Sequence, residues 1–191
     1  VDLEIANNQI SNVLVGVSLS NVGTVNNPVN VDSNIITGIG VGPYGIFLDN
    51  ASLTAPVFAT IQRNTISGFV AGISALEATA TITNNFSNSN DYGVEVSGSA
   101  SNVVAFENDF SGNNLLAINN TSGVLVDASG NWYGANTETG VAAAVTADVD
   151  YTPWLNSGTD TDLVTAGFQG DFSHLHVDDN SPQTGFVGRI M

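Results

Sequence analysis

A five-residue pattern, Asn-x-[Ile/Phe]-[Ser/Thr]-[Gly/Asn], occurs five times in this chain. It stands at Asn8-Gln9-Ile10-Ser11-Asn12, Asn34-Ile35-Ile36-Thr37-Gly38, Asn64-Thr65-Ile66-Ser67-Gly68, Asn84-Asn85-Phe86-Ser87-Asn88 and Asn108-Asp109-Phe110-Ser111-Gly112. Successive asparagines lie 26, 30, 20 and 24 residues apart, and a looser copy, Asn131-Trp132-Tyr133-Gly134, follows. Short alternating runs precede the asparagines, among them Val29-Asn30-Val31, Val104-Ala105-Phe106 and Val124-Leu125-Val126. Alternation turns one side of a strand inward. A period in the twenties built from such runs predicts a stacked solenoid, because no unit can bury its apolar side alone.

The repeat also predicts a corner. Asparagine tolerates the left-handed backbone region, and its amide can bond locally. In a stack, corner asparagines lie about one strand spacing apart, roughly 4.8 Å, and can bond to one another as a ladder. The expected ladder is Asn8, Asn34, Asn64, Asn84, Asn108 and Asn131, with the Ile or Phe two residues later pointing into the core.

These six units, from about Leu3 to Gly134, resemble the right-handed parallel β-helix repeat of the pectate-lyase-like superfamily. Gly130-Asn131-Trp132-Tyr133-Gly134 with Asp150-Tyr151-Thr152-Pro153-Trp154-Leu155 is similar to the way bacterial members finish a helix. The fold expected is therefore all-β: a right-handed parallel β-helix of about six coils over 1–134, a C-terminal cap segment over 135–157, and a linker with a terminal strand over 158–191. In the cap, Val141-Ala142-Ala143-Ala144-Val145 balances helix-favouring alanines against strand-favouring valines. The longest step, between Asn34 and Asn64, suggests an insertion around Asn50–Thr54. The run from Leu175 to Pro182 resembles the opening strand of a further domain of the same superfamily.

Charge narrows the partners. Among 191 residues, 18 acids face two bases, Arg63 and Arg189, for a net charge of −16. Nucleic acid and anionic membranes would be repelled. No apolar run is long enough to span a bilayer, so no membrane insertion is expected. Cysteine is absent, which removes disulfide and thiolate chemistry. The chain opens at Val1 without a basic-then-apolar leader and reads as a mature or excised piece.

The resemblance implies enzymes, each with recognisable catalytic groups, as well as passive members. Its lyases pair clustered acids on calcium with a Lys or Arg base; here lysine is absent and Arg63 stands alone on the repeats. Its galacturonase pattern of Asn-x-Asp, Asp-Asp and Gly-His-Gly on successive coils is not found there. No catalytic residue is assigned, and the chain by itself is expected not to turn over a substrate. Arg63 is expected to satisfy Asp32 or Asp109 on a nearby coil, and Glu107 and Asp109 to be solvated. His174, His176 and Asp178, at i, i+2 and i+4 of one strand, form the metal-like constellation. Asp148-x-Asp150 and Asp160-x-Asp162 leave room for weak calcium binding, although no cofactor is required.

The function expected is a non-catalytic structural or adhesive module, secreted or at the cell surface. It would associate head to tail with itself or with neighbouring β-helix domains of the same chain. Leu3, Ile5 and Ile10 in an uncovered first coil would meet Leu175 and Val177 of a spare terminal strand, giving a filament or stalk. The alternatives are a fragment of a carbohydrate-active lyase or hydrolase, and an acidic module that binds cations or glycans.

Overall fold

The computed structural model describes residues 3–51 and 56–177. Six successive coils wind around one aliphatic core. Coil 1 holds β1 (Glu4–Ala6), β2 (Gln9–Val13) and β3 (Val15–Ser20). Coil 2 holds β4 (Val29–Asp32) and β5 (Ile35–Asp49), and coil 3 holds β6 (Phe58–Gln62) and β7 (Thr65–Leu76). Coil 4 has β8 (Thr79–Thr83), β9 (Phe86–Ser87) and β10 (Tyr92–Ser97). Coil 5 has β11 (Asn102–Phe106) and β12 (Leu116–Asn120). Coil 6 starts with β13 (Val126–Asp127) and carries a single turn of helix, α1 (Glu138–Ala142). Then come β14 (Val149–Asp150), β15 (Trp154–Leu155) and β16 (Leu175–His176).

Three faces run the length of the column. The first is a parallel sheet in the order β1-β4-β6-β8-β11-β13-β14. The second is short, built from β2, the first parts of β5 and β7, and β9, and extended by the bridges Phe86–Asp109 and Asp109–Trp132. The third aligns β3, the later parts of β5 and β7, β10 and β12. Register places like residues over like. Val31, Ile61, Ile82 and Ala105 stack on the first face, and Val17, Ile46, Ile73, Val94 and Ile118 on the third. Each buried isoleucine contributes about 1.5–3 kcal/mol relative to exposure, and only the neighbouring coils supply that burial.

The corner between the first and second faces carries the ladder, with one correction. Each rung's Oδ1 accepts from the backbone N–H and the Nδ2 of the rung before: Asn8 to Asn34 at 3.0 and 2.9 Å, and Asn34 to Asn64 at 2.9 and 2.9 Å. The next rung is Asn85, not Asn84, with Asn64 donating at 2.9 and 3.0 Å, and the column continues through Asn108 to Asn131. The left-handed residue is not the ladder asparagine but the one before it: Asn7, Ser33, Arg63, Asn84, Glu107 and Gly130, with φ between 55° and 71°. Asn84 fills that place because its neighbour Asn85 takes the rung. Consequently Phe86 aligns with Thr65 and faces outward, while Ser87 aligns with Ile66 and faces the core.

Coil 2 accommodates its extra length partly on the second face, where the pairing of β5 with β7 shifts register between Thr37 and Gly42. The sequence suggested an insertion near Asn50–Thr54; residues 52–55 lie outside the described residues. A second column was not foreseen. Gly16, Gly45, Gly72 and Gly93 lie in register where the second face turns into the third. A Cβ at Gly45 would sit 2.5 Å from the carbonyl oxygen of Gly72, and one at Gly93 would sit 2.6 Å from that of Ala117. Side chains there are excluded by the close approach of successive coils, not by backbone dihedrals.

Candidate functional site

The charged residues of the ladder corner sit on the outer side of the turn. Arg63 donates from Nε to Asp32 Oδ1 at 2.8 Å and from Nη2 to Asp32 Oδ2. That guanidinium is the main cause holding the Asp32 carboxyl below its ordinary value. Arg63 thus pairs with Asp32, one of the two acids expected for it.

Glu107 and Asp109 depart from the expectation of solvated acids. Asp109 is 7% exposed, and its Oδ1 accepts from the Ser111 N–H at 2.8 Å. Burial pushes both carboxyls above their ordinary values. They flank the buried rung Asn108 on a side of the column that is covered by a later part of the chain.

That cover is the segment from residue 156 to 177. It leaves the last coil at Trp154, and Gly158 presses on the Trp132 indole. Phe168, fully buried, meets the outward Phe86 edge-on with ring centroids 5.5 Å apart. Its N–H donates to the Asn84 carbonyl at 2.8 Å, and its own carbonyl accepts from Asn84 Nδ2 at 3.0 Å. Gly167, at φ 77°, lies so close to the Arg63 and Asn84 backbones that a Cβ would collide with them. The segment then returns, and β16 pairs antiparallel with β15. The strand expected to be spare therefore has a partner within the chain, since Leu175 stands opposite Leu155 and His176 opposite Trp154. Leu175 and Val177 remain exposed on their outer sides.

The two histidines of the expected metal set have other partners among the described residues. His176 stacks on Trp154 at 5.3 Å, and its Nε2 lies 2.8 Å from Asn156 Oδ1. His174 Nδ1 lies 3.0 Å from Ser173 Oγ. Asp178 lies outside the described residues. Among the described residues, no three His, Asp or Glu side chains gather as a metal group.

At the opposite end, β1, β2 and β3 are hydrogen-bonded on one side among the described residues. Leu3 is 48% and Leu14 is 56% exposed, while Ile5 and Ile10 pack partly against the core. Asn8 Oδ1 has the position of a ladder acceptor, and no described donor reaches it.

No curated protein and no solved structure matches the chain. The family model described as the right handed beta helix region matches residues 44–146, from Tyr44 on the third face of coil 2 to the residue after the Val145 bridge. That match spans more than half of the chain and coincides with the stacked coils, so the chain belongs to the right-handed β-helix family.

Proposed function

We propose that this chain is a non-catalytic structural or adhesive β-helix module of a secreted or cell-surface protein, joined to a further coil through its first coil. The observation that carries this reading is the first coil itself, with backbone groups of three strands and the Asn8 acceptor facing outward along the axis. An unpaired strand edge is a template for another chain. The partner is a second copy or a neighbouring β-helix domain. The terminal strand is left out of the joint in this reading, because Leu175 and His176 already pair with Leu155 and Trp154. Glycans are secondary partners in this reading, and no cofactor is required.

Sedimentation velocity over a wide concentration range tests the association, with Ile5→Lys as the edge variant. Elongated, concentration-dependent species that the variant abolishes are expected. A chain that stays monomeric at millimolar concentration would overturn end-to-end joining. Release of reducing ends or unsaturated products from pectate, alginate or neutral glycans would overturn the non-catalytic part.

A further inference from the structure

The outward row Phe86–Asp109–Trp132 runs beneath the segment 156–177, with Phe168 over Phe86 and Gly158 over Trp132. Asp109 is the middle member, so a carboxyl lies between two covered aromatic rings. Ser111 and Asn88 are its hydrogen-bonding neighbours, and both are neutral. Glu107, two residues earlier and at φ 59°, bonds to the Asn84 side chain. Asn84 is the residue that holds Phe168 in both directions. One buried carboxyl therefore lies in the row between the two rings that the segment contacts, and the other is linked to its anchor through a single side chain.

We propose that residues 156–177 form a proton-controlled strap, which seals the flank of coils 3 to 6 when Glu107 and Asp109 are protonated and loosens as they ionise. An ionised carboxylate left without water or a cation is costly, and opening the strap restores water to it. No cation offsets that cost among the described residues. Arg63 is engaged with Asp32, while His174 and His176 lie at the far end of the strap against Ser173, Asn156 and Trp154. The neighbouring elements carry acids in their sequence: Asp127 on coil 6, and Asp160, Asp162 and Asp171 in the strap. Phe168 and Gly158 contribute no charge.

The sign follows from burial. Both carboxyls take up protons more readily in the sealed state than in water, because desolvation is the largest cause acting on each. Sealing is thus strongest below the ordinary values of 3.8 for Asp109 and 4.5 for Glu107, and is lost as pH rises through their elevated values. The column itself does not share this dependence, since its ladder is made of amides.

Hydrogen exchange at the Phe168 amide tests the strap directly, because that N–H is bonded to Asn84 only when the strap is docked. After correction for intrinsic exchange, protection is expected to be high at pH 4 and largely lost at pH 8, as burial raises both carboxyls above their ordinary values. In Asp109→Asn with Glu107→Gln, protection should stay high and flat across that range. Emission from Trp132 and Trp154, which lie under the strap, should follow the same two profiles. Amides of Ile61 and Ile66 report whether the column stays folded in each variant. A flat parent profile would overturn the proposal. An unchanged pH dependence in the double variant would also overturn it and would assign the effect to groups other than these two carboxyls.

Discussion

The asparagine corner and the glycine column occur on the same coils and answer opposite demands. At the corner, the chain must turn while leaving no amide or carbonyl buried and unpaired, so a side chain with both donors and an acceptor is required. At the turn into the third face, successive coils come so close that any side chain is in the way. Gly16, Gly72 and Gly93 each follow their ladder asparagine, Asn8, Asn64 and Asn85, by eight residues. In coil 2 the bulge between Thr37 and Gly42 delays Gly45. One column is held by what its residues add, the other by what they omit.

Removing a rung should be the most damaging change. Asn85→Ala strands the buried backbone N–H of Asn64, takes one acceptor from its Nδ2, which keeps Val31 and Gln62, and removes the side-chain donor from the carbonyls of Ile61 and Thr83. A loss of about 3 kcal/mol is expected, since each buried unpaired group costs about 1–3 kcal/mol. Urea unfolding measures it. A midpoint within error of the parent would mean that water can replace the rung.

Filling the glycine column should cost somewhat less. Gly72→Ala places a methyl group against Ser87 Oγ and Asn90 Nδ2, the second of which a built Cβ approaches to 2.7 Å. Overpacking of this kind costs about 1–3 kcal/mol. Replacing Ser87 by Gly in the same chain should recover part of the loss, as the serine hydroxyl is the closest obstacle. Additive damage in the double variant would show that backbone approach, not Ser87, sets the limit.

Asn84→Ala separates the two asparagines of coil 4. Asn84 carries no rung, and among the described residues its side chain reaches the strap and Glu107. About 1–2 kcal/mol is expected, for the two lost hydrogen bonds. The loss should appear as faster exchange at Phe168 with the column amides unchanged. A loss as large as that of Asn85→Ala would return the rung to Asn84.

The spacing of asparagines revealed the solenoid, the coil number and five of the six rungs, because a stacked amide imposes its period on the sequence. It misplaced the fourth rung for a physical reason. Asn84-Asn85-Phe86-Ser87 offers two frames, and an apolar residue was assigned to the core. Phe86 instead lies outside, where Phe168 covers it, and a contact across 82 positions leaves no local periodicity. The buried state of Asp109 was hidden by the same cover. The glycine column is legible in principle through its eight-residue offset from the ladder asparagines, which glycine's frequency in turns masks.

The left-handed position before each rung permits the smallest test. Arg63 occupies it at φ 57°, and Gly130 at φ 71°. A residue with a Cβ pays about 1–2 kcal/mol there, which glycine avoids. Arg63→Ala keeps that strain and removes the ion pair with Asp32, whose partner side chain is 39% exposed, so the expected loss is only about 0.5 kcal/mol after screening. Arg63→Gly removes pair and strain together, and should match or slightly exceed the parent in urea. The acid limb distinguishes the two terms. Asp32 is held below its ordinary value of 3.8, chiefly by the Arg63 hydrogen bond. Its contribution is present above that value and is lost as pH falls through the lowered one. In both variants stability should therefore decline less steeply below pH 4 than in the parent. A parental acid limb in Arg63→Ala would show that Ser33 and Gln62, which also bond to Asp32, hold the carboxylate without the guanidinium.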